Sequence, residues 1–444
     1  MLFGVNNKKI YAREACLKSL VSYEKAEKYS NIELGEAVKR YEFCDSERRF
    51  FTKLFYGVIE KKLTLDYFIA SICDKNTKID PVISNILRMG LYQLSYMDKV
   101  PESAACDESV KLAKRFIPKN VKIGGFVNAV LRNFARNKAE QFENIDKIKD
   151  LCKHFEIKYS CSSDIIKIWI ESYGVETAQN LLCASQNSHG LAITVNSLKI
   201  SRDEYFEKLL SHHEAIAAKK TKTSPYGIAI ESDIPANHIF GFDEGLFFVQ
   251  DEASQICALE TGAKPGDLAI DCCAAPGGKS FYMAQMMENK GKIICLDVHE
   301  NKLGLIDKSA KRLGMDIMET HKHDSTLRFG GAGDLKADVV LCDVPCSGLG
   351  AISKKPEIRY KTQGEISKMP EIQFKILSRC SDYVKPGGTL IYSTCTLNKK
   401  ENEEVAHKFL GGHKNFEIMK FATLFPFEQQ TDGFFIAKMK RTGI

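Results

Sequence analysis

Apolar residues recur at intervals of three and four positions through the first third of the chain, a spacing that predicts amphipathic helices. One predicted helix begins near Ser46, a residue type that favours the N-cap position. Another begins at Pro81, whose missing N–H costs nothing in a first helical turn. A later helix carries one apolar stripe formed by Val127, Val130, Leu131 and Phe134. Residues 1–140 are therefore predicted to form an all-helical domain.

The pattern changes beyond residue 140. Residues 141–165 are charged and mixed in pattern, and we interpret them as a connecting segment. Residues 166–262 combine short β-rich stretches with helical ones, which predicts a small α/β subdomain. From residue 263 to residue 444, short apolar strands alternate with helices. That alternation is typical of a parallel, doubly wound sheet.

The composition narrows the class of protein. Hydrophobic residues make up 44% of the chain and charged residues 27%, which is ordinary for a soluble globular protein. No run of about 18 apolar residues occurs, so we expect no membrane span. Residues 1–20 lack the apolar core of a secretory signal. We therefore expect a cytoplasmic protein. That it is a monomer is a separate expectation, which does not follow from these patterns.

The chain has 15 cysteines, an odd number scattered irregularly. Without a secretory signal, such a set indicates thiols rather than disulfides. No C-x-x-C pair occurs and no Cys/His grouping has zinc-ligand spacing, so no metal site is predicted. The adjacent Cys272 and Cys273 do not change this, because neighbouring side chains seldom share one metal. Most cysteines are expected to be small core residues.

Positive charge is concentrated in the predicted helical domain. Residues 1–140 hold 25 Lys and Arg against 17 Asp and Glu, while the whole chain holds 63 against 57. A basic domain on a near-neutral body suggests a polyanionic partner such as RNA. The alternative is that these basic residues lie on ordinary solvent-exposed helix faces, which explains the same counts about equally well.

A glycine loop follows the first strand of the C-terminal domain, in the segment DCCAAPGGKS that begins at Asp271. Open α/β sheets bind ligands at such a junction. Gly278, Lys279 and Ser280 match the end of a phosphate-binding P-loop, but its first glycine is replaced by Cys273. The dinucleotide pattern G-x-G-x-x-G is also absent. The loop therefore disfavours a nucleoside triphosphate or NAD(P).

Four consecutive strands of this domain are predicted to end in aspartate, at Asp271, Asp297, Asp324 and Asp343. Asp297 lies twenty positions after Gly277, a distance at which an acidic residue can accept hydrogen bonds from ribose hydroxyls. Each acid taken singly is more often a cap or a loop residue. Together at one sheet edge, they favour a neutral or cationic nucleoside such as S-adenosylmethionine over a polyphosphate.

Two cysteines follow strands at the same predicted edge. Cys346 comes after Pro345, which restricts the turn, and Cys395 ends the strand LIYSTC. Both thiols are therefore expected at the nucleoside crevice, with Asp343 beside them. Two packed core thiols are the alternative. Spacing alone does not tell which cysteine would act as a nucleophile.

The segments DCCAAPGGKS, DVPCSGLG, YSTCT with ENEE, and DGFFIAKM resemble the RNA cytosine-5 methyltransferases of the Nol1/Nop2/Sun family. The segment FFVQDEASQ is similar to the start of that family's catalytic domain, and residues 1–140 resemble the NusB RNA-binding fold. The resemblance covers nearly the whole chain. It implies a Rossmann-like, S-adenosylmethionine-dependent methyltransferase domain over residues 263–444 that methylates C5 of a cytidine in 16S rRNA.

The resemblance also implies roles for individual residues. A thiolate that adds to C6 of a flipped-out cytosine makes C5 nucleophilic toward a methyl sulfonium. Cys395 is implied as this nucleophile and Cys346 as a helper in product release. Asp343 is implied to contact the N3/N4 edge of the base, and Lys279 to lie near both ligands, where its charge favours a thiolate at Cys395. The implied cofactor-binding residues are Cys273, Ala274, Ala275, Pro276, Gly277, Gly278, Lys279, Asp297, Asp324 and Asp343.

Two other functions stay open. One is the same chemistry on another RNA such as tRNA, against which the helical domain argues. The other is a noncatalytic rRNA-binding assembly factor, against which the intact Cys346, Cys395 and Asp343 argue. Ser353 and Lys354 stand where the family pattern has two arginines, so we expect the RNA contacts near residues 353–360 to differ from that pattern.

Overall fold

The computed structural model describes residues 11–26, 29–74, 76–187, 190–213, 216–232, 234–329 and 335–443. The chain divides into two units, one formed by Met1–Lys167 with Lys355–Lys361 and the other by Ile168–Lys354 with Thr362–Ile444. Within the described ranges, no helix combines the length and the apolar character needed to cross a lipid bilayer.

The first unit is helical, and its core confirms the predicted apolar stripe. Val127, Val130, Leu131 and Phe134 are all buried there. Pro81 is the first residue of its helix, and the Asp80 carboxylate accepts a hydrogen bond from the Val82 N–H at 2.8 Å. The helices up to residue 173 are α1 (Ala12–Ala26), α2 (Ser30–Tyr41), α3 (Asp45–Glu60), α4 (Lys62–Ile72), α5 (Pro81–Tyr96), α6 (Glu102–Phe116), α7 (Ile123–Asp146), α8 (Leu151–Tyr159) and α9 (Ser163–Tyr173). Residues 141–165, interpreted above as a connecting segment, thus include α8 and parts of α7 and α9. The domain limits drawn from the sequence stay predictions.

The predicted N-cap at Ser46 is wrong. Helix α3 begins at Asp45, with Cys44 as the N-cap. The Glu47 carboxylate accepts hydrogen bonds from the Cys44 N–H at 3.4 Å and from the Cys44 thiol at 3.3 Å. A glutamate at the third helical position accepts a hydrogen bond from the N–H of the N-cap residue three positions earlier. Glu47 therefore makes Cys44, rather than Ser46, the N-cap.

The second unit contains a small antiparallel sheet and a large mixed sheet. The small sheet has the strand order β2-β3-β1-β4. Its strands and neighbouring helices are α10 (Val175–Ala184), β1 (Leu191–Val195), α11 (Arg202–His212), β2 (Ala217–Lys220), β3 (Gly227–Glu231), β4 (Phe247–Val249) and α12 (Glu252–Glu260). The short strand β2 has no counterpart in the sequence-based prediction, because AAKK lacks the β-branched residues that mark a strand.

The large sheet has seven strands in the order β10-β11-β9-β8-β5-β6-β7. The five strands from β9 to β7 are parallel, as predicted, and β10 and β11 form an antiparallel hairpin at one edge. Its elements are β5 (Leu268–Asp271), α13 (Gly278–Met286), β6 (Lys292–Asp297), α14 (Glu300–Leu313), β7 (Met318–Lys322), β8 (Ala337–Asp343), α15 (Gln363–Ile366), α16 (Met369–Cys380), β9 (Val384–Thr394), α17 (Glu403–Gly412), β10 (Phe416–Leu424), α18 (Pro426–Gln429) and β11 (Phe434–Arg441).

Helices cover both faces of the parallel strands, so that two hydrophobic layers form. One layer packs odd-numbered strand residues such as Ala269, Leu341 and Ile391 against α12, α13 and α14. The other packs even-numbered residues such as Ile270 and Leu390 against α16 and α17. Side chains alternate between the two faces of a strand. Whether a residue number is odd or even therefore decides on which face of the sheet a polar residue at a strand end lies.

Candidate functional site

Three of the four predicted aspartates end their strands. Asp271, Asp297 and Asp343 are the last residues of β5, β6 and β8, and their odd numbers place them on the face that α13 covers. The strand that leads to Asp324 is shorter than predicted. It ends at Lys322, and Asp324 is exposed and accepts hydrogen bonds from the Thr326 N–H at 2.9 Å and hydroxyl at 2.7 Å. These bonds lower the pKa of Asp324.

The glycine loop joins β5 to α13 and is tied down by two of these acids. The Asp297 carboxylate accepts hydrogen bonds from the Ala275 N–H at 3.2 Å and from the His299 N–H at 2.8 Å. Asp271 accepts one from the Ser280 hydroxyl at 2.6 Å, and burial raises the pKa of Asp271 to about 7. Asp297 therefore holds the middle of the loop, and Asp271 holds the first turn of α13.

Gly277 makes the turn that starts α13 possible. Its φ of +103° lies in the region that glycine adopts without strain. A β-carbon at this position would lie 2.6 Å from the ring of Phe281, so a larger residue would disturb the packing of the helix on the sheet. The second glycine of the motif, Gly278, is the first residue of the helix.

Lys279 and Asp343 form an ion pair between α13 and the end of β8. The Lys279 Nζ lies 2.6 Å from one Asp343 oxygen, and the Ser393 hydroxyl donates to the other at 2.8 Å. Burial lowers the pKa of Lys279, but the Asp343 carboxylate and other nearby acidic groups raise it by more, and the net pKa lies above the ordinary value. Lys279 is therefore a permanent cation that holds Asp343 in a single orientation.

Cys346 and Cys395 come together as the sequence predicts. Cys346 lies three residues beyond β8, Cys395 follows directly after β9, and their Sγ atoms are 3.4 Å apart. Both side chains are partly exposed. The hydrogen bond with Cys395 and, after it, burial raise the pKa of Cys346 well above the ordinary range for a thiol. At this separation either thiol can donate its S–H to the sulfur of the other.

The two residues that follow the cysteines also contact each other. The hydroxyls of Ser347 and Thr396 are 2.7 Å apart, and Thr396 accepts a further hydrogen bond from the Leu349 N–H at 3.3 Å. These contacts join two loops that are separated by about fifty residues of sequence. They fix the spacing between the two thiols.

Glu401 is a residue of this site that sequence reasoning did not assign. It is fully buried and accepts four hydrogen bonds. These come from the Ser347 N–H at 2.9 Å, the Ser347 hydroxyl at 2.5 Å, the Gln373 side chain at 2.9 Å and the Asn398 side chain at 2.9 Å. The neighbouring Asn402 accepts from the Thr394 hydroxyl at 2.5 Å. The acidic ENEE segment that signals the family thus contains the acceptor that holds the Cys346 loop.

A close approach of two glycines fixes the backbone at Cys395. The Gly350 N–H donates to the Cys395 carbonyl at 3.0 Å, and the Gly433 N–H donates to the Gly350 carbonyl at 2.9 Å. A β-carbon on Gly350 would lie 1.9 Å from the Gly433 carbonyl oxygen. Only glycine fits at this position, which explains a glycine in each of the segments DVPCSGLG and DGFF.

Lys354, one of the two positions that depart from the family pattern, has a structural role. Its Nζ contacts the carboxylates of Asp251 and Asp432, the latter at 3.0 Å. Burial lowers the pKa of Lys354, but the two aspartates raise it by more. The contacts connect the segment after β4, the loop after Gly350 and the start of β11. The sequence gives no signal for this pairing, because the three residues lie more than seventy positions apart.

Three family models match the chain. A model described as 16S rRNA methyltransferase RsmB/F matches residues 258–440, a NusB family model matches residues 11–136, and an RsmF/B-like ferredoxin-like domain model matches residues 164–237.

Two relatives match the chain over nearly its whole length. A probable ribosomal RNA small subunit methyltransferase B of Bacillus subtilis strain 168 is 33% identical, covering 98% of this chain and 100% of that protein. A protein of the same description from Synechocystis is 30% identical, covering 97% of this chain and 100% of its own length. Among solved structures, the crystal structure of PH0851 has a TM-score of 0.80 at 26% identity, covering 98% of this chain and 100% of that chain.

Proposed function

Because the chain belongs to the RsmB/F family of 16S rRNA methyltransferases, we propose that it methylates C5 of a cytidine in 16S rRNA, with S-adenosylmethionine as the methyl donor and Cys395 as a covalent nucleophile. The observation that carries the proposal is the 3.4 Å separation of the Cys395 and Cys346 sulfurs at the ends of the two neighbouring strands β9 and β8. The Lys279–Asp343 pair lies at the same strand ends.

The chemistry of the donor set fits S-adenosylmethionine. The Asp297 carboxylate can accept about four hydrogen bonds. The N–H groups of Ala275 and His299 supply two of them, so two acceptor positions remain for the hydroxyls of a ribose. The acids at the strand ends suit a ligand with a positive sulfonium. The proposed binding residues are the Cys273–Lys279 loop with Asp297, Asp324 and Asp343. When bound, the cofactor supplies a methyl group activated for transfer to a carbon nucleophile.

The base is proposed to be held by Asp343. A carboxylate accepts hydrogen bonds from the N4 amino group of cytosine, and protonation at N3 places a second donor on the same edge. Lys279 and Ser393 fix the two carboxylate oxygens, at 2.6 and 2.8 Å. Because these contacts hold the carboxylate in one orientation, little reorganisation is needed when the flipped base arrives.

The covalent step is proposed to begin at Cys395. Its thiolate forms a bond to C6, and the electron pair of the C5–C6 bond makes C5 the nucleophile toward the methyl group. A general base then takes the C5 proton, the electron pair of that C–H bond restores the C5–C6 double bond, and the S–C6 bond breaks with its electron pair returning to the Cys395 sulfur. Cys346 suits the helper role because its Sγ lies 3.4 Å from the Cys395 Sγ, a distance at which its S–H can stabilise a thiolate at Cys395 and protonate that sulfur as product leaves.

Methyl transfer to a 16S rRNA fragment from labelled S-adenosylmethionine tests the proposal. Cys395→Ala is expected to abolish transfer and to form no covalent adduct. Cys346→Ala is expected to accumulate an RNA–protein adduct that survives denaturing electrophoresis, because release is slowed. Cys152→Ala, a partly exposed cysteine of α8, is the matched control and should behave as the wild type.

The roles of the two cysteines are reversed if the adduct persists in the Cys395→Ala variant. Bisulfite sequencing of the methylated RNA locates the modified cytidine, because 5-methylcytosine resists conversion to uracil. Methyl transfer with no resistant cytidine would refute the assignment to C5.

A further inference from the structure

Three buried cysteines meet on the face of the large sheet opposite to Asp343. Cys272 follows β5, Cys342 is the penultimate residue of β8, and Cys380 is the last residue of α16. Their exposed fractions are 1%, 0% and 0%. The three Sγ atoms all lie within 4.8 Å of one another. The three come from separate elements, which is why their spacing in the sequence shows no metal-ligand pattern.

The separation of these sulfurs is close to that of a metal site. A Zn–S bond of about 2.3 Å in a tetrahedral site places two sulfurs roughly 3.8 Å apart. The observed limit of 4.8 Å therefore requires a contraction of at most about 1 Å. Side-chain rotation of this size at the end of a helix and two strands needs no change in the fold.

A fourth ligand atom is available from the backbone. The Ser325 carbonyl oxygen is 3.9 Å from the Cys380 Sγ, and the Ser325 hydroxyl donates to the Cys272 carbonyl at 2.5 Å. Ser325 is itself buried. Three thiolates and one neutral oxygen around a divalent cation leave a net charge of only −1, which limits the cost of placing the site in the core.

We propose that Cys272, Cys342 and Cys380 form a structural site for one Zn²⁺ ion per chain. Binding forms three S–Zn bonds, breaks three S–H bonds and releases three protons to solvent. Because the thiols are buried, the ion enters while the chain folds. A bound ion would link the ends of β5, β8 and α16. Cys342 is directly before Asp343, and Cys272 is directly before the glycine loop, so the site would stiffen the strand ends that carry the proposed active site without contacting its ligands.

Refolding of the full chain in the presence of Zn²⁺ tests the proposal. The protein is unfolded in guanidinium with a phosphine reductant and a chelator, then refolded with or without equimolar Zn²⁺, desalted, and analysed for zinc by mass spectrometry. The wild type is expected to retain about one ion per chain and to show a higher denaturant midpoint than the zinc-free protein. Cd²⁺ in place of Zn²⁺ should give a thiolate-to-metal charge-transfer band in the ultraviolet.

The matched control is Cys295→Ala, since Cys295 is fully buried in β6 of the same sheet and lies outside the cluster. Cys342→Ala and Cys380→Ala are expected to retain at least tenfold less zinc than this control and to lose the Cd²⁺ band. Circular dichroism checks that each variant folds, and Cys380→Ser replaces any alanine variant that does not. Zinc retention equal to the wild type in both variants would assign the metal to other cysteines and overturn the proposal. So would a refolded wild type that holds no zinc.

Discussion

The replacement Glu401→Gln changes one atom of the most heavily used acceptor near the two thiols. One Glu401 oxygen accepts from the Ser347 N–H and from Gln373, and the other accepts from the Ser347 hydroxyl and from Asn398. A backbone N–H has no freedom to reorient, so the glutamine carbonyl must take the first position. The new amide NH₂ then faces Ser347 and Asn398.

The loss of unfolding free energy depends on whether Ser347 and Asn398 can pair with the new amide group. The Ser347 hydroxyl can turn, accept from the new amide and still keep its hydrogen bond with Thr396, because a hydroxyl both donates and accepts. Asn398 is buried, and its carbonyl already accepts from the Lys400 N–H at 3.2 Å, so a flip of its amide loses that bond. One hydrogen bond to a charged group is lost, worth about 1.5–3 kcal/mol, and one buried donor is left unpaired, at about 1–3 kcal/mol. The expected loss of unfolding free energy is the sum of the two, about 2.5–6 kcal/mol.

Guanidinium unfolding followed by tryptophan fluorescence measures this loss. Trp169 is the chain's only tryptophan and is 1% exposed in the same unit, so its emission reports on that unit. Glu404→Gln, at an exposed position of the same segment, is the control and should change the unfolding free energy by less than about 0.5 kcal/mol. Methyl transfer by Glu401→Gln should also fall, because the Cys346 loop loses its anchor. An unfolding free energy equal to that of Glu404→Gln would refute the argument from the four hydrogen bonds.

Three other perturbations follow from the same geometry. Gly350→Ala should slow the methyl-transfer step and destabilise the protein by about 1–3 kcal/mol, since its β-carbon would lie 1.9 Å from the Gly433 carbonyl oxygen. Single-turnover methylation and chemical unfolding check this, and wild-type values for both would contradict it. Lys354→Met should destabilise the protein by about 2 kcal/mol, because two carboxylates lose their shared cation. Lys354→Arg keeps the charge and should retain most of the stability. Equal effects of the two variants on the unfolding free energy in chemical denaturation would show that charge is not the cause. The double variant Arg132→Gln with Arg136→Gln, two exposed positions of α7, should flatten the salt dependence of RNA binding by about two units in a plot of log K against log salt. An unchanged slope in filter binding would assign the RNA contacts to other residues.

Local patterns in the sequence were sufficient for the main elements and for much of the candidate site. Short, nearly continuous apolar runs locate β5, β6, β8 and β9, and the odd numbers of Asp271, Asp297 and Asp343 place them on one face. The meeting of Cys346 and Cys395 follows from the same rule, because neighbouring parallel strands bring their C-terminal ends together. A sequence can show such features since they depend on residues a few positions apart.

Some features were decided only by the tertiary structure. The strand β10 and the antiparallel direction of β11 depend on which sheet edge is left open. The hydrogen bonds of Glu401, the pairing of Lys354 with two aspartates and the meeting of Cys272, Cys342 and Cys380 each join elements far apart in the chain. Periodicity states which face a residue occupies, but the partner it meets there is set by how helices and strands pack, and that packing depends on every residue of the core at once.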